Sequence, residues 1–157
     1  MAEAHRHIRL TWAATGESVV ANMLEDEAPQ MCQWIWSRLP FEQQAVHGKY
    51  SQSELVVPLD NPQPAPRENL TQMPLPGELL YFYESSITFA GRVEEVGQIR
   101  LVYGRGVLFR DPEGVPAYGV LFARIPGDWL RDWRDFANAC RRLQDSGSQV
   151  LRLEASS

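Results

Sequence analysis

The chain has 157 residues, a net charge of −5, 44% hydrophobic residues and 22% charged residues. This length and composition predict one globular domain spanning residues 1–157. The negative charge argues against a nucleic-acid or anionic membrane partner, and no apolar run approaches the roughly 20 residues that span a bilayer. Because the N-terminal sequence also lacks the apolar core of a signal peptide, we expect a cytoplasmic protein.

The first 40 residues predict a hairpin followed by a helix. Residues 7–14 and 19–24 alternate in polarity around the turn Thr15-Gly16-Glu17, as antiparallel strands do. An apolar stripe at helical spacing then predicts a helix that ends before Pro40. Its members are Ala28, Met31, Cys32, Ile35 and Leu39. Trp34 and Trp36 cannot both lie on that face, so we expect one of them to cover a barrel mouth or a partner surface.

The middle of the chain predicts short strands on either side of an irregular segment. Residues 44–49, 54–59 and 78–83 have strand character. Residues 60–76 contain five prolines, which exclude a continuous helix or a central strand, and this segment is predicted to be a long surface loop. Residues 85–96 fit either a strand or a loop.

Two nearly continuous apolar runs within Gly97–Ile125 flank a turn rich in Gly, Pro and Asp. This pattern predicts a β-hairpin whose strands are covered on both faces, as in the wall of a filled barrel. Gly104 and Gly106 bracket Arg105 where a strand has to bend.

A second helix and a last strand complete the chain. Asp128 is predicted to cap this helix, and Gly147 to end it. The apolar stripe between them is formed by Trp129, Trp133, Phe136, Ala137, Cys140 and Leu143. Residues 149–153 then have strand character.

About eight strands and two amphipathic helices predict a mainly β fold, in which a closed eight-stranded β-barrel is capped by two α-helices. We expect one core between the barrel and the helices. The residues predicted to fill it are Met31, Ile35, Leu80, Phe82, Leu101, Leu121, Phe122, Phe136 and Leu153. Cys32 and Cys140 lie on apolar helical faces and are predicted to be buried thiols rather than a disulfide or a metal pair.

The order of these segments resembles the cyclophilin fold, and within it an uncharacterised bacterial cyclophilin-like family of domains of unknown function. The resemblance rests on APQMCQWIWSRLP, AVHGKYSQSELVVPL, ENLTQMPLPGELLYF, VYGRGVLF and VLFARI, followed by a helix and QVLRLE. It implies a cyclophilin-like barrel. It does not imply prolyl isomerase activity, because Leu55 of SELVVP stands where cyclophilins carry an arginine that assists isomerisation. A leucine has no donor to stabilise a twisting amide.

Candidate site residues concentrate near AVHGKYSQSE. His47 is a candidate general base and Glu54 its candidate partner, since a histidine titrates near neutrality. With Ser51, they are expected to face Tyr103 and Arg105 across one concavity. Arg105 would clamp a carboxylate, and Glu68 and Asn69 would form a lid. The structural alternatives are an edge-strand histidine, a solvated glutamate, a turn asparagine and a salt-bridged surface arginine.

Three functions compete at this point. The first is a barrel that binds a small carboxylate- or amide-bearing ligand or a peptide at its side. The second is an enzyme on a small amide or carboxylate metabolite, with His47 as base and Glu54 or Arg105 as its orienting partner. The third is an interface protein, favoured by an exposed Trp34 or Trp36 in an apolar patch. Prolyl isomerase comes last. No metal or cofactor is expected, because no ligand spacing or phosphate loop is present, and a homo-oligomer is left open.

Overall fold

The computed structural model describes residues 5–49, 52–89 and 91–156, without the side chains of residues 86–89, 92 and 93. This part of the chain forms nine strands and two helices. In chain order they are β1 (His7–Trp12), β2 (Ser18–Met23), α1 (Pro29–Arg38), β3 (Phe41–His47), β4 (Glu54–Leu59), β5 (Leu70–Thr71), β6 (Glu78–Phe89), β7 (Arg92–Val102), β8 (Gly119–Arg124), α2 (Arg134–Ser146) and β9 (Gln149–Ser156).

The strands form a closed antiparallel barrel. The strand order is β2-β1-β9-β3-β4-β7-β6-β8, and β2 then pairs with β8 through Asn22↔Arg124 and Met23↔Ala123. The two-residue β5 adds to β8 outside this ring. Closure gives every long strand two neighbours, which removes exposed sheet edges. The predicted mainly β fold, a closed eight-stranded barrel with two helices, is confirmed.

Alternating side chains build the main core inside the barrel. β1 alternates strictly between half-buried and buried positions, and its inward residues Ile8, Leu10 and Trp12 are at most 2% exposed. Most predicted core residues lie in this core, which both helices also enter. They are Met31, Ile35, Leu101, Phe122, Phe136 and Leu153.

The predicted hairpin within Gly97–Ile125 is wrong. β7 ends at Val102, and β8 pairs with β6, β2 and β5 but not with β7. The physical reason is that β7 already has β4 on one edge and β6 on the other, so it offers no free edge to β8. Residues 103–118 therefore leave the sheet, and within them only Arg110 and Pro116 form an isolated bridge.

A second, smaller apolar cluster lies between this excursion and the sheet, so the prediction of one core is wrong. It contains Leu80, Val102, Val107, Phe109 and Leu121, with Phe82 packed partly buried against it. Small satellite clusters of this kind form under long loops. The cluster explains the unbroken apolar character of β8, whose first five residues are all buried.

Both helices end where the sequence predicts, but α2 begins later than predicted. Gly147, at φ 79°, follows the last residue of α2 in a conformation that favours glycine. α2 begins only at Arg134, because Asp128 accepts a hydrogen bond from the Leu130 N–H (2.8 Å) and caps a separate turn. No helix in the described ranges is long and apolar enough to cross a membrane.

Neither Trp34 nor Trp36 of α1 stands open on an apolar patch. Both are half-buried against the main core. The guanidinium groups of Arg38 and Arg6 lie over their rings, at 4.9 and 4.8 Å from the respective ring centroids. These cation–π contacts cover the rings. The observation that would have favoured the interface protein is therefore not found.

Both cysteines are free and buried, as predicted, and we expect both to resist alkylation in the native protein. Burial raises the pKa of the Cys32 thiol to about 12, and its S–H donates to the Phe122 carbonyl at 3.2 Å. Burial also raises the pKa of Cys140. Because the thiolate is the nucleophile, iodoacetamide should modify neither residue until denaturant is added. Mass spectrometry checks this, and a rapid adduct on the folded protein would contradict it.

Candidate functional site

His47, Tyr103 and Gln144 meet at one end of the barrel. His47 is the last residue of β3, Tyr103 directly follows β7, and Gln144 lies in the last turn of α2. The His47 Nε2 atom is 2.7 Å from the Tyr103 hydroxyl, and the Gln144 amide nitrogen is 3.3 Å from each of them. Tyr103 is 1% exposed, whereas Gln144 is exposed. The cluster is therefore reached from solvent on the side of Gln144.

The contacts fix the hydrogen-bonding roles of this pair. The His47 Nδ1 atom lies 2.9 Å from the Gly48 carbonyl oxygen, which can only accept, so Nδ1 carries a proton. In the neutral imidazole Nε2 is then the acceptor, and the Tyr103 hydroxyl donates to it. Burial raises the pKa of Tyr103, which keeps the phenol protonated as this role requires.

A groove of about 540 Å³ opens beside this pair. Its lining includes His47, Lys49, Gln52, Leu143, Gln144 and Ser148. Among the described residues, none of those that line it carries a carboxylate. We call it the His47 groove.

Glu54 does not orient His47, so this predicted partnership is wrong. Side chains alternate across a strand, and His47 pairs with Leu55, which points into the core. The neighbouring Glu54 consequently lies on the opposite face, where it is 1% exposed and accepts from Arg100 Nη1 at 2.8 Å. The Gly48 carbonyl takes the orienting position instead.

Glu68 and Asn69 do not form a lid over His47. The Glu68 carboxylate accepts from the backbone N–H groups of Gln30 (3.0 Å) and Met31 (3.1 Å) at the start of α1. A carboxylate is favoured there by the unpaired N–H groups and the helix dipole. The Asn69 amide donates to the Leu121 carbonyl at 3.0 Å. Both residues thus attach the proline-rich segment to the barrel. The predicted Ser51 lies outside the described residues.

Arg105 lines a different groove, of about 720 Å³. Its walls include Pro74–Pro76, Arg131 and the half-buried Trp129. Leu75 is 64% exposed. We call it the Arg105 groove. No described residue lines both grooves, so the prediction that His47 and Arg105 share one concavity is wrong.

The two carboxylates in the Arg105 groove are already engaged. Asp132 accepts from the Asp128 N–H at 2.6 Å, and Asp128 accepts from the Leu130 N–H. Arg131 Nε is 3.7 Å from an Asp132 carboxylate oxygen. Arg105 is exposed and makes no hydrogen bond or ion pair with any other described residue. Its guanidinium is therefore available to a ligand.

Sequence reasoning missed Gln144 and Trp129 as site residues. Gln144 follows Cys140 by four positions, so it continues the apolar stripe of α2 with a polar side chain, which was a usable signal. The sequence pattern places Trp129 on the apolar stripe of the second helix. Nothing in the sequence indicates that it precedes α2 and lines a groove. Within the described ranges, no three His, Cys, Asp or Glu side chains are grouped to hold a metal ion.

Comparisons with known proteins identify structures of similar fold and one matching family. No curated protein matches the chain. A structure of McbB in complex with tryptophan is similar, with a TM-score of 0.66 and 14% sequence identity. The match covers 94% of this chain but 44% of the McbB chain, so this chain spans less than half the length of McbB. The solution structure of a hypothetical protein from Archaeoglobus fulgidus has a TM-score of 0.60 and 13% identity, over 99% and 98% of the two chains.

At these identities the two structures support the barrel fold alone. The family is shown by residues 10–155, which match the model of the family described as "Protein of unknown function (DUF3830)". The match covers nearly the whole chain, from β1 into β9. The chain therefore belongs to this family of unknown function.

Proposed function

We propose that the protein binds a small ligand that carries a carboxylate on an apolar or aromatic body, and that it does so in the Arg105 groove. The observation that carries this proposal is an exposed arginine with no partner among the described residues, at a groove with apolar walls. Ligand sites commonly combine apolar walls with a few oriented polar groups.

The chemistry of the groove selects the ligand. The Arg105 guanidinium can hold a carboxylate by two parallel hydrogen bonds, whereas Arg131 in the same groove is already paired with Asp132. Leu75 and Trp129 offer surfaces for an apolar body. The complex of McbB with tryptophan supports the choice, because tryptophan unites a carboxylate with an aromatic ring.

Indole-3-acetate is a suitable probe, and indole-3-acetamide lacks only its charge. We expect Arg105→Ala to weaken indole-3-acetate binding by about 10- to 150-fold, which corresponds to the roughly 1.5–3 kcal/mol of a hydrogen bond to a charged group. Isothermal titration calorimetry measures the change. Arg110→Ala, an exposed arginine outside the groove, is the matched control. Equal binding of acid and amide, or an unchanged affinity in Arg105→Ala, would contradict the proposal.

We further propose that the barrel is cyclophilin-like in kind but lacks prolyl isomerase activity. Leu55 is 0% exposed and packs in the main core, so at this position no polar group faces a peptide. We expect no acceleration of proline isomerisation in a standard peptide assay at micromolar protein. A rate comparable to that of a true cyclophilin would refute this expectation.

An enzyme with His47 as general base is the second candidate. One observation favours it: the 2.7 Å contact between His47 Nε2 and the Tyr103 hydroxyl, beside an open groove. The hydrolysis of a simple amide, followed by NMR with the native protein and His47→Ala, tests it. Turnover that disappears in the variant would support this function.

A further inference from the structure

We infer that the His47 groove is a second binding site, separate from the Arg105 groove, for a neutral ligand that carries a primary carboxamide. The inference starts from Gln144. Its side chain is itself a primary carboxamide, and its nitrogen lies 3.3 Å from both His47 Nε2 and the Tyr103 hydroxyl. Gln144 thus occupies the place that the amide of a ligand would take.

A free ligand can form shorter hydrogen bonds with His47 and Tyr103 than Gln144 does. Amide hydrogen bonds have their most frequent length near 2.9–3.0 Å, and both Gln144 contacts are longer. The side chain is tethered to α2 and shares one nitrogen between two partners. Because Gln144 is exposed, it can move into solvent at little cost. A free amide can then approach Tyr103 at the preferred distance.

The hydrogen-bonding roles of His47 and Tyr103 require a hydrogen-bond donor on the ligand. The Tyr103 hydroxyl gives its proton to His47 Nε2, so its oxygen remains an acceptor for an N–H group. Gln52 and Lys49 line the same groove and supply donors for the ligand's carbonyl oxygen. A primary amide supplies both the N–H donor for Tyr103 and the carbonyl acceptor for Lys49 and Gln52 within one group.

The charges of the groove argue for a neutral ligand. The groove lies at the C-terminal end of α2, where unpaired carbonyl groups and the helix dipole disfavour an anion. Lys49 contributes a positive charge that disfavours a cation. Gln52, Gln144 and Ser148 are uncharged and both donate and accept hydrogen bonds.

Three matched probes test the inference: benzamide, N,N-dimethylbenzamide and benzoate. Benzamide alone combines N–H donors with a neutral carbonyl. In protein labelled with ¹⁵N at histidine, we expect benzamide to shift the ring resonances of His47. By the same His47 resonances, we expect the other two probes to bind the His47 groove at least about 5-fold more weakly, as the loss of one hydrogen bond predicts.

Variants assign the effect to this groove. Tyr103→Phe removes the hydroxyl, which both accepts from the ligand and donates to His47, and should weaken benzamide binding by about 2- to 12-fold. Gln144→Ala, a surface change, should leave benzamide binding equal or tighter because the competing amide is gone. The exposed His5→Ala is the matched histidine control, and Arg105→Ala should have no effect on benzamide, which separates this test from that of the Arg105 groove.

Several results would overturn the inference. They are, in the Arg105→Ala background, tighter binding of benzoate than of benzamide as followed by the His47 resonances, equal binding of the three probes by the same readout, an unchanged benzamide affinity in a folded Tyr103→Phe, or no His47 shift in either the native protein or Gln144→Ala.

Discussion

Replacement of Phe122 by alanine is expected to lower the free energy of unfolding by about 3–5 kcal/mol, the range for deleting a buried aromatic ring. Phe122 is 0% exposed in the main core, on the strand that closes the barrel against β2. The close packing of a barrel interior limits its collapse into the vacated space. Since domains are typically stable by roughly 5–15 kcal/mol, the variant should lose about a fifth of its stability or more.

Urea denaturation measures this loss as a lower midpoint with an unchanged slope. Tyr118→Ala is the control, because Tyr118 is 57% exposed and lies only four residues away. It should change the stability by less than about 0.5 kcal/mol. If the two variants lost similar amounts, Phe122 would not be the core residue described above.

Replacement of Arg124 by methionine is expected to cost about 3 kcal/mol, since it leaves the buried charge of its partner uncompensated. The Glu78 side chain is only 4% exposed and accepts from Arg124 Nη2 at 2.6 Å and Nε at 3.0 Å. Among the described residues, its second carboxylate oxygen accepts only from the Leu75 N–H, at 2.6 Å. One backbone donor cannot replace a guanidinium.

A second substitution separates loss of the pair from burial of a charge. Glu78→Gln in the Arg124→Met background removes the charge and keeps an acceptor for Leu75. It should recover more than half of the lost stability in urea denaturation. Arg110→Met, at an exposed arginine, should change the stability by less than about 0.5 kcal/mol. No recovery in the double variant would show that the methionine harms packing instead.

The barrel was predictable because its signals are local. The helical stripe of α1 and β4, Glu54–Leu59, appear in the sequence much as they do in the structure, whereas the predicted loop of residues 60–76 also contains the short strand β5. The pairing of β8 was not predictable, because strand character does not say which neighbour has a free edge. The same ambiguity concealed the second cluster: Val107 and Phe109 give residues 103–109 a strand-like composition because they cover the outside of the barrel.

The candidate site was predictable only in part. The sequence predicts that the segments carrying His47 and Tyr103 lie side by side, facing each other across a concavity, and the structure brings the two side chains into direct contact. Its link to Arg105 failed, since two residues beyond Tyr103 the chain has already turned towards another groove. The role of Glu54 depends on the strand face that carries its side chain, and the role of Glu68 depends on the helix end that its carboxylate contacts. Spacing in the sequence reveals neither.

The place of β9 between β1 and β3 has a consequence for how the protein is made. β9, Gln149–Ser156, is the last strand in the chain and joins the first hairpin to the rest of the barrel. During synthesis on the ribosome, β1 and β3 cannot pair with β9 until residues 48–148 have been made. Pairings of such long sequence separation form slowly. The edges of β1 and β3 that pair with β9 consequently stay open while residues 48–148 are made, and open strand edges of this kind favour aggregation.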